Sequence, residues 1–196
     1  MGSQTASQLQ RLKEQTASIG TMEARKQEDQ RISECKVMHA RMLLASDDSA
    51  SQKEGVDMII AYLADIASQR LIFPQLVSSA LSAYGAYVLT SETSVPQHYL
   101  WFPFGFFDPP RVQGERLLKM ALDISPENAD AQIRLAMSQT ETLATCSVEH
   151  RESWLTQAEL NYQTALVKDP SNVLSLYRYA IFLDQHMSDL NQVNYV

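Results

Sequence analysis

The sequence predicts an all-α protein, with antiparallel helix pairs stacked in its C-terminal half. A long N-terminal helical arm and an aromatic, proline-rich loop complete it. Three observations predict this class. One pattern recurs after 44 residues: Ala121-Leu122 followed by Ser125-Pro126-Glu127-Asn128, then Ala165-Leu166 followed by Asp169-Pro170-Ser171-Asn172. Gly and Pro number only 6 and 7 in 196 residues, while Ala, Leu, Gln, Ser and Glu are plentiful, which favours helix. Apolar residues fall at three- and four-residue spacing along much of the chain.

Residues 1–45 read as the arm, a long polar helix or two. Leu9, Leu12, Thr16 and Ile19 keep helical spacing, and Ile32, Cys35, Met38 and Met42 resume it. The stretch from Glu23 to Arg31 is charged or polar, so the seam is broken and a self-sufficient coiled coil is not expected. The arm is expected to lie on its own body or on a neighbour.

Residues 46–90 read as a helical hairpin. Ser51 with Glu54 makes a capping-box pattern, and Val56, Ile59, Ile60, Leu63, Ile66 and Ala67 form an apolar face behind it. Pro74 suits the first turn of the next helix, which carries Leu76, Val77, Ala80, Ala83, Tyr84, Tyr87 and Val88. This pair does not match the 44-residue pattern in phase.

Residues 91–111 read as a loop. Tyr99, Trp101, Phe102, Phe104, Phe106 and Phe107 crowd together, while Pro96, Pro103, Pro109 and Pro110 rule out a continuous helix. Two roles stay open for these aromatics. They seal the groove between the two halves, or they insert into a partner, where buried aromatics dominate interface energetics.

Residues 112–196 hold the repeat. Gly114 maps onto Ala158, Leu118 onto Tyr162, Arg134 onto Arg178 and Ala136 onto Ala180. A small residue lets two helix axes approach, and a larger neighbour fills the flanking space. Pro126 and Pro170 punctuate the turns, and Asn128 and Asn172 can cap the following helices.

On these residues the C-terminal half resembles the tetratricopeptide repeat (TPR) family. The motif runs Ala158, Tyr162, Ala165, Pro170, then Leu176, Tyr179, Ala180, Leu183; its upstream copy is Gly114, Leu118, Ala121, Pro126, then Leu135 and Ala136. The resemblance implies a solenoid of antiparallel helix pairs that binds other proteins. The step of 44 residues departs from the family's ~34. The extra residues fall between Ala136 and Ala158, in longer helices or in an extended turn at Thr145–Glu149. A HEAT-like repeat, with a period of about 40–47 residues, is the alternative. Some family members clamp a C-terminal carboxylate with Lys and Asn. Here Ile133, Met137, Tyr177 and Ile181 stand at those positions, so the clamp is absent. Arg134 and Arg178, one step apart, could together grip an acidic segment, or be locally paired.

Composition narrows the function. The net charge is −7: residues 1–41 carry seven Lys/Arg against five Asp/Glu, residues 42–110 two against seven, and residues 111–196 seven against eleven. An acidic body argues against nucleic-acid or anionic-membrane binding, which needs a basic face. Cys35 and Cys146 make no disulfide framework and suit a reducing compartment. An intracellular, cytoplasmic setting is expected, with an organelle left open by the Ser/Thr/Gln-rich start. Met-Gly opens the chain, but Ala6 stands where a myristoylation signal has Ser or Thr.

No phosphate loop, nucleophile elbow or His-Glu-x-x-His pattern occurs. Cys35 with His39 and Cys146 with His150 each sit one helical turn apart, but nothing brings the pairs together, so no metal and no cofactor is expected. The expectation is a non-catalytic scaffold, a structural or adaptor subunit of a larger complex. The alternative is a module binding acidic or apolar linear motifs transiently. Leu190, Val193, Tyr195 and Val196 leave an apolar end to the stack, expected to be covered by the arm, a second copy or a partner subunit.

Overall fold

The computed structural model describes residues 2–68, 73–91 and 108–193, with side chains for 19–65, 73–91, 108–147 and 149–186. The described residues form seven helices and no strand: α1 (Gly2–Leu44), α2 (Ser49–Ser68), α3 (Pro74–Ser91), α4 (Pro110–Ile124), α5 (Ala129–Leu143), α6 (Val148–Lys168) and α7 (Val173–Val193).

Local chemistry sets the boundaries. Asp48, rather than Ser51, caps α2. Its Oδ2 accepts from the Ser51 N–H at 2.9 Å and from Ser51 Oγ at 2.7 Å. The Ser51 hydroxyl and then the backbone amides of Ser51 and Ala50 hold the Asp48 carboxyl below its ordinary range. The helix therefore starts three residues early, and Ser51 serves as a donor in its first turn. Pro74 and Pro110 occupy first helical positions, where no N–H is needed.

The two turns of the repeat share the same backbone and capping bonds. Ser125 N donates to Ala121 O and Asp169 N to Ala165 O, both at 3.0 Å. Asn128 Oδ1 accepts from Ala131 N and Asn172 Oδ1 from Ser175 N, again at 3.0 Å. Pro126 and Pro170 both sit exposed in these turns.

Packing extends the pattern beyond the repeated half. Among the described residues each helix touches the next, and α1, α3, α5 and α7 also touch in succession; α2, α4 and α6 do not touch one another. The pairs are α1/α2, α3/α4 and α5/α6. The expected hairpin of α2 with α3 is the narrower contact for both helices, because α2 lies along α1 and α3 lies along α4. The helices upstream of residue 112 thus share the arrangement, although their sequence is out of phase.

Small residues mark the pair crossings. A Cβ on Gly55 would come within 2.9 Å of Ala40 O, and one on Gly85 within 3.0 Å of Gly114 O. A Cβ on Gly114 would meet Leu89 Cγ at 2.7 Å. Ala136 and Ala158 are fully buried in the corresponding α5/α6 pair. These close approaches let large side chains fill the flanks: Tyr84, Leu81, Leu117 and Leu118 in one cluster, Tyr162, Phe182, Ile133 and Leu155 in another. Ala121 and Ala165 are also fully buried.

The longer step is absorbed mainly by α6. It begins ten residues before Ala158, whereas α4 begins four before Gly114. The α5–α6 turn spans only residues 144–147. A buried amide ladder fixes this pair: Gln132 Nε2 donates to Asn161 Oδ1, and Asn161 Nδ2 donates to Gln139 Oε1, both at 2.6 Å. Between pairs, Ser78 Oγ donates to Ala121 O and receives Asn128 Nδ2, both at 2.7 Å, tying α3 to the α4–α5 turn.

Ala180 departs from expectation. Its counterpart Ala136 is fully buried under α6, but Ala180 is exposed, since no described helix covers that face of α7.

Candidate functional site

The touching helices α1, α3, α5 and α7 line one side of the stack, and their side chains enter it in register. Counted from the small residue (Ala40, Gly85, Ala136 or Ala180), the position two before is Met38, Ala83, Arg134 and Arg178. The position one after is Arg41, Ala86, Met137 and Ile181, and five after is Ala45, Thr90, Glu141 and Gln185. Every one of these side chains lines one of two grooves. Helical geometry explains the choice: steps of three and four residues stay on one face.

The first groove, of about 650 Å³, runs between α1 and α3 and reaches α5. Val37, Met42, Leu76 and Tyr87 give it an apolar floor. An ion cluster crosses three helices at its side. Arg41 Nη1 donates to Ser79 Oγ at 3.0 Å and Nη2 lies 3.8 Å from Asp130 Oδ2. Arg134 Nε donates to Asp130 Oδ1 at 3.0 Å, and Ser82 Oγ donates to Asp130 Oδ2 at 2.9 Å. Two guanidinium groups share one carboxylate, and Glu34 offsets the remaining positive charge. Glu34 sits on the same lining.

The second groove, of about 360 Å³, lies between α5 and α7. Tyr162 closes its floor, bonded to Thr140 Oγ1 at 3.1 Å, stacked on Tyr179 with centroids 5.5 Å apart and tilted against Phe182 with centroids 5.1 Å apart. Burial pushes the Tyr162 hydroxyl up from its ordinary range, offset in part by the Thr140 hydrogen bond. Burial likewise raises Tyr179 and Tyr62.

The two arginines singled out from the repeat therefore both face a groove, Arg134 paired to Asp130 and Arg178 exposed. They line different grooves, so no single groove holds both. Trp101, Phe102, Phe104, Phe106 and Phe107 lie outside the described residues. Among the described residues no three His, Cys, Asp or Glu side chains gather where they could hold a metal ion. Cys35 and Cys146 are not paired to each other, and the His150 ring contacts Ser147 Oγ at 2.8 Å. No described helix is long and apolar enough to cross a membrane.

Sequence reading missed Ala40, Gly55 and Gly85 as crossing residues, and Arg41 as a groove residue. The signal was the small residue inside an apolar helix pattern, but its spacing in the first two pairs does not follow the 44-residue step. Comparison of the chain with protein-family models, curated proteins and solved structures finds no match.

Proposed function

We propose that this chain is a TPR-like helix-pair solenoid acting as a non-catalytic scaffold, a structural or adaptor subunit of a larger intracellular complex. The observation that carries this is the exposed apolar face of α7. Val173, Leu176, Tyr177 and Ala180 lie open there, and Ile133 and Ala136, the α5 counterparts of Tyr177 and Ala180, are fully buried. Contiguous apolar surface of this kind marks interaction sites. Sedimentation of the tagged chain from a gentle lysate, with mass spectrometry across the gradient, tests it. Co-migration with a fixed set of proteins at constant stoichiometry is expected. A peak near the 22.1 kDa of the free chain would remove the assembly reading.

A second reading, a transient module for acidic or apolar linear motifs, draws on the Arg41–Asp130–Arg134 cluster beside the first groove. Charge reversal separates the two readings. Arg134→Glu would also repel Asp130, so Arg178→Glu and Arg41→Glu are the cleaner variants. Either one abolishes binding of a motif peptide held by that guanidinium, but leaves a permanent assembly largely intact.

A further inference from the structure

We infer that the buried amides of Gln132, Gln139 and Asn161 act as a pairing key, which makes α6 and not α4 the mate of α5. Helix α5 has two candidates for that place. Turns of four residues join it to each, residues 125–128 before it and 144–147 after it, and it touches both helices. The apolar pattern suits either one. Gly114, Leu118 and Ala121 in α4 match Ala158, Tyr162 and Ala165 in α6, and all six are buried. Yet α4 lies along α3, although residues 92–109 stand between those two helices. Neither turn length nor the apolar stripe explains the choice.

The amides do explain it. Gln132, Gln139 and Asn161 are 8%, 5% and 4% exposed. Asn161 bonds to both glutamines at 2.6 Å, and Lys168 Nζ donates to Gln132 Oε1 at 3.3 Å. Counted from the small residue at the crossing, α4 has Leu117 where α6 has Asn161, and Ile124 where α6 has Lys168. Paired with α4, α5 would bury its two glutamines against aliphatic side chains that accept and donate nothing. Helix α3 presents the opposite surface: Leu81 and Val88 stand at the places of Gln132 and Gln139 and pack in one buried cluster with Leu117. In α1/α2 the same places hold exposed Lys36 and half-buried Leu43, with half-buried Met58 on the mate. Among the three described pairs, the enclosed ladder is thus confined to α5/α6. A buried polar set complete on both sides adds little net stability, whereas half of one is costly. The ladder therefore acts chiefly against the wrong mate.

The test replaces the ladder, in the full chain, with the set found in α3/α4: Gln132→Leu, Gln139→Val and Asn161→Leu together. Urea unfolding and amide NMR spectra are recorded. The triple variant is expected to unfold at or above the native midpoint, yet to show a second set of peaks for α4, α5 and α6. Asn161→Leu alone leaves both glutamines facing leucine, and is expected to unfold at a lower midpoint than the native chain or the triple variant. Ile133→Val trims the same buried face with the ladder intact, and is expected to keep one set of peaks. A triple variant with a single set of peaks overturns the proposal. So does one that fails to fold or unfolds no later than Asn161→Leu, since the ladder would then supply stability rather than choice. Doubled peaks in Ile133→Val also overturn it, because loosened packing would then suffice. All of these measurements are made on the isolated chain, so they leave the assembly reading to the gradient.

Discussion

Helices α5 and α7 hold matching places in the stack, one repeat step apart, and meet opposite surroundings. Ile133 and Ala136 are fully buried beneath α6, while Tyr177 and Ala180 at the same positions lie open. The inner side of both helices is alike: Met137 and Ile181 line the same groove, and Asn128 and Asn172 cap their helices through identical bonds. The difference is confined to one face. A residue's burial in a stack of helix pairs is set by its neighbour in the next place, not by its own position in the repeat.

Substitutions at matched positions put a size on this contrast. The largest gap is expected at the large side chains. Ile133→Ala empties a fully packed site and costs about 2–5 kcal/mol, whereas Tyr177→Ala at the matching position stays within about 0.5 kcal/mol. Urea unfolding of the two variants reads this directly, and equal midpoints would erase the contrast. Next come the crossing residues. Ala136→Leu overpacks the α5/α6 approach and costs about 1–3 kcal/mol, but Ala180→Leu is close to neutral in the isolated chain. A large cost at Ala180 would mean that its face is covered in solution.

The caps sharpen the comparison from the other direction, since they are alike on both helices. Asn172→Ala is expected to cost about 1 kcal/mol, and Asn128→Ala somewhat more because its amide also donates to Ser78. The smallest effect is alkaline. Burial raises the Tyr162 pKa above the unfolded value near 10. Its contribution is therefore complete below about pH 10 and is lost as pH rises through the folded value. Unfolding midpoints measured upward from pH 9 should fall less steeply in Tyr162→Phe than in the native chain; an identical slope would show that Tyr162 does not contribute.

What could be read from sequence follows the range of the forces involved. The turns at Ser125–Asn128 and Asp169–Asn172 were legible because proline and a capping asparagine act within four residues. The start of α2 lies three residues earlier than expected, because Ser51 fits a capping pattern while the stronger acceptor, Asp48, stands three residues before it. The pairing of α3 with α4 was hidden because residues 92–109 separate them and Gly85 carries no side chain to announce a contact. Gln132, Gln139 and Asn161 read as solvated positions until their partners are in place. Ala180 fits the repeat as well as Ala136 does. Sequence spacing records that a seat exists and not whether it is filled.

The contact pattern governs how the molecule comes apart. No described helix reaches past its second neighbour, so a local break cannot leap along the axis and must travel like a zip, tooth by tooth. The most narrowly held tooth is α7, packed on α5 and α6, whereas α3 and α5 are each gripped by four helices. Amide protons along α7 are expected to exchange before those of α3, an order that hydrogen-exchange mass spectrometry reads out. A helix docked on α7 would then act as the slider stop, delaying opening of the whole C-terminal half from a single point of attachment.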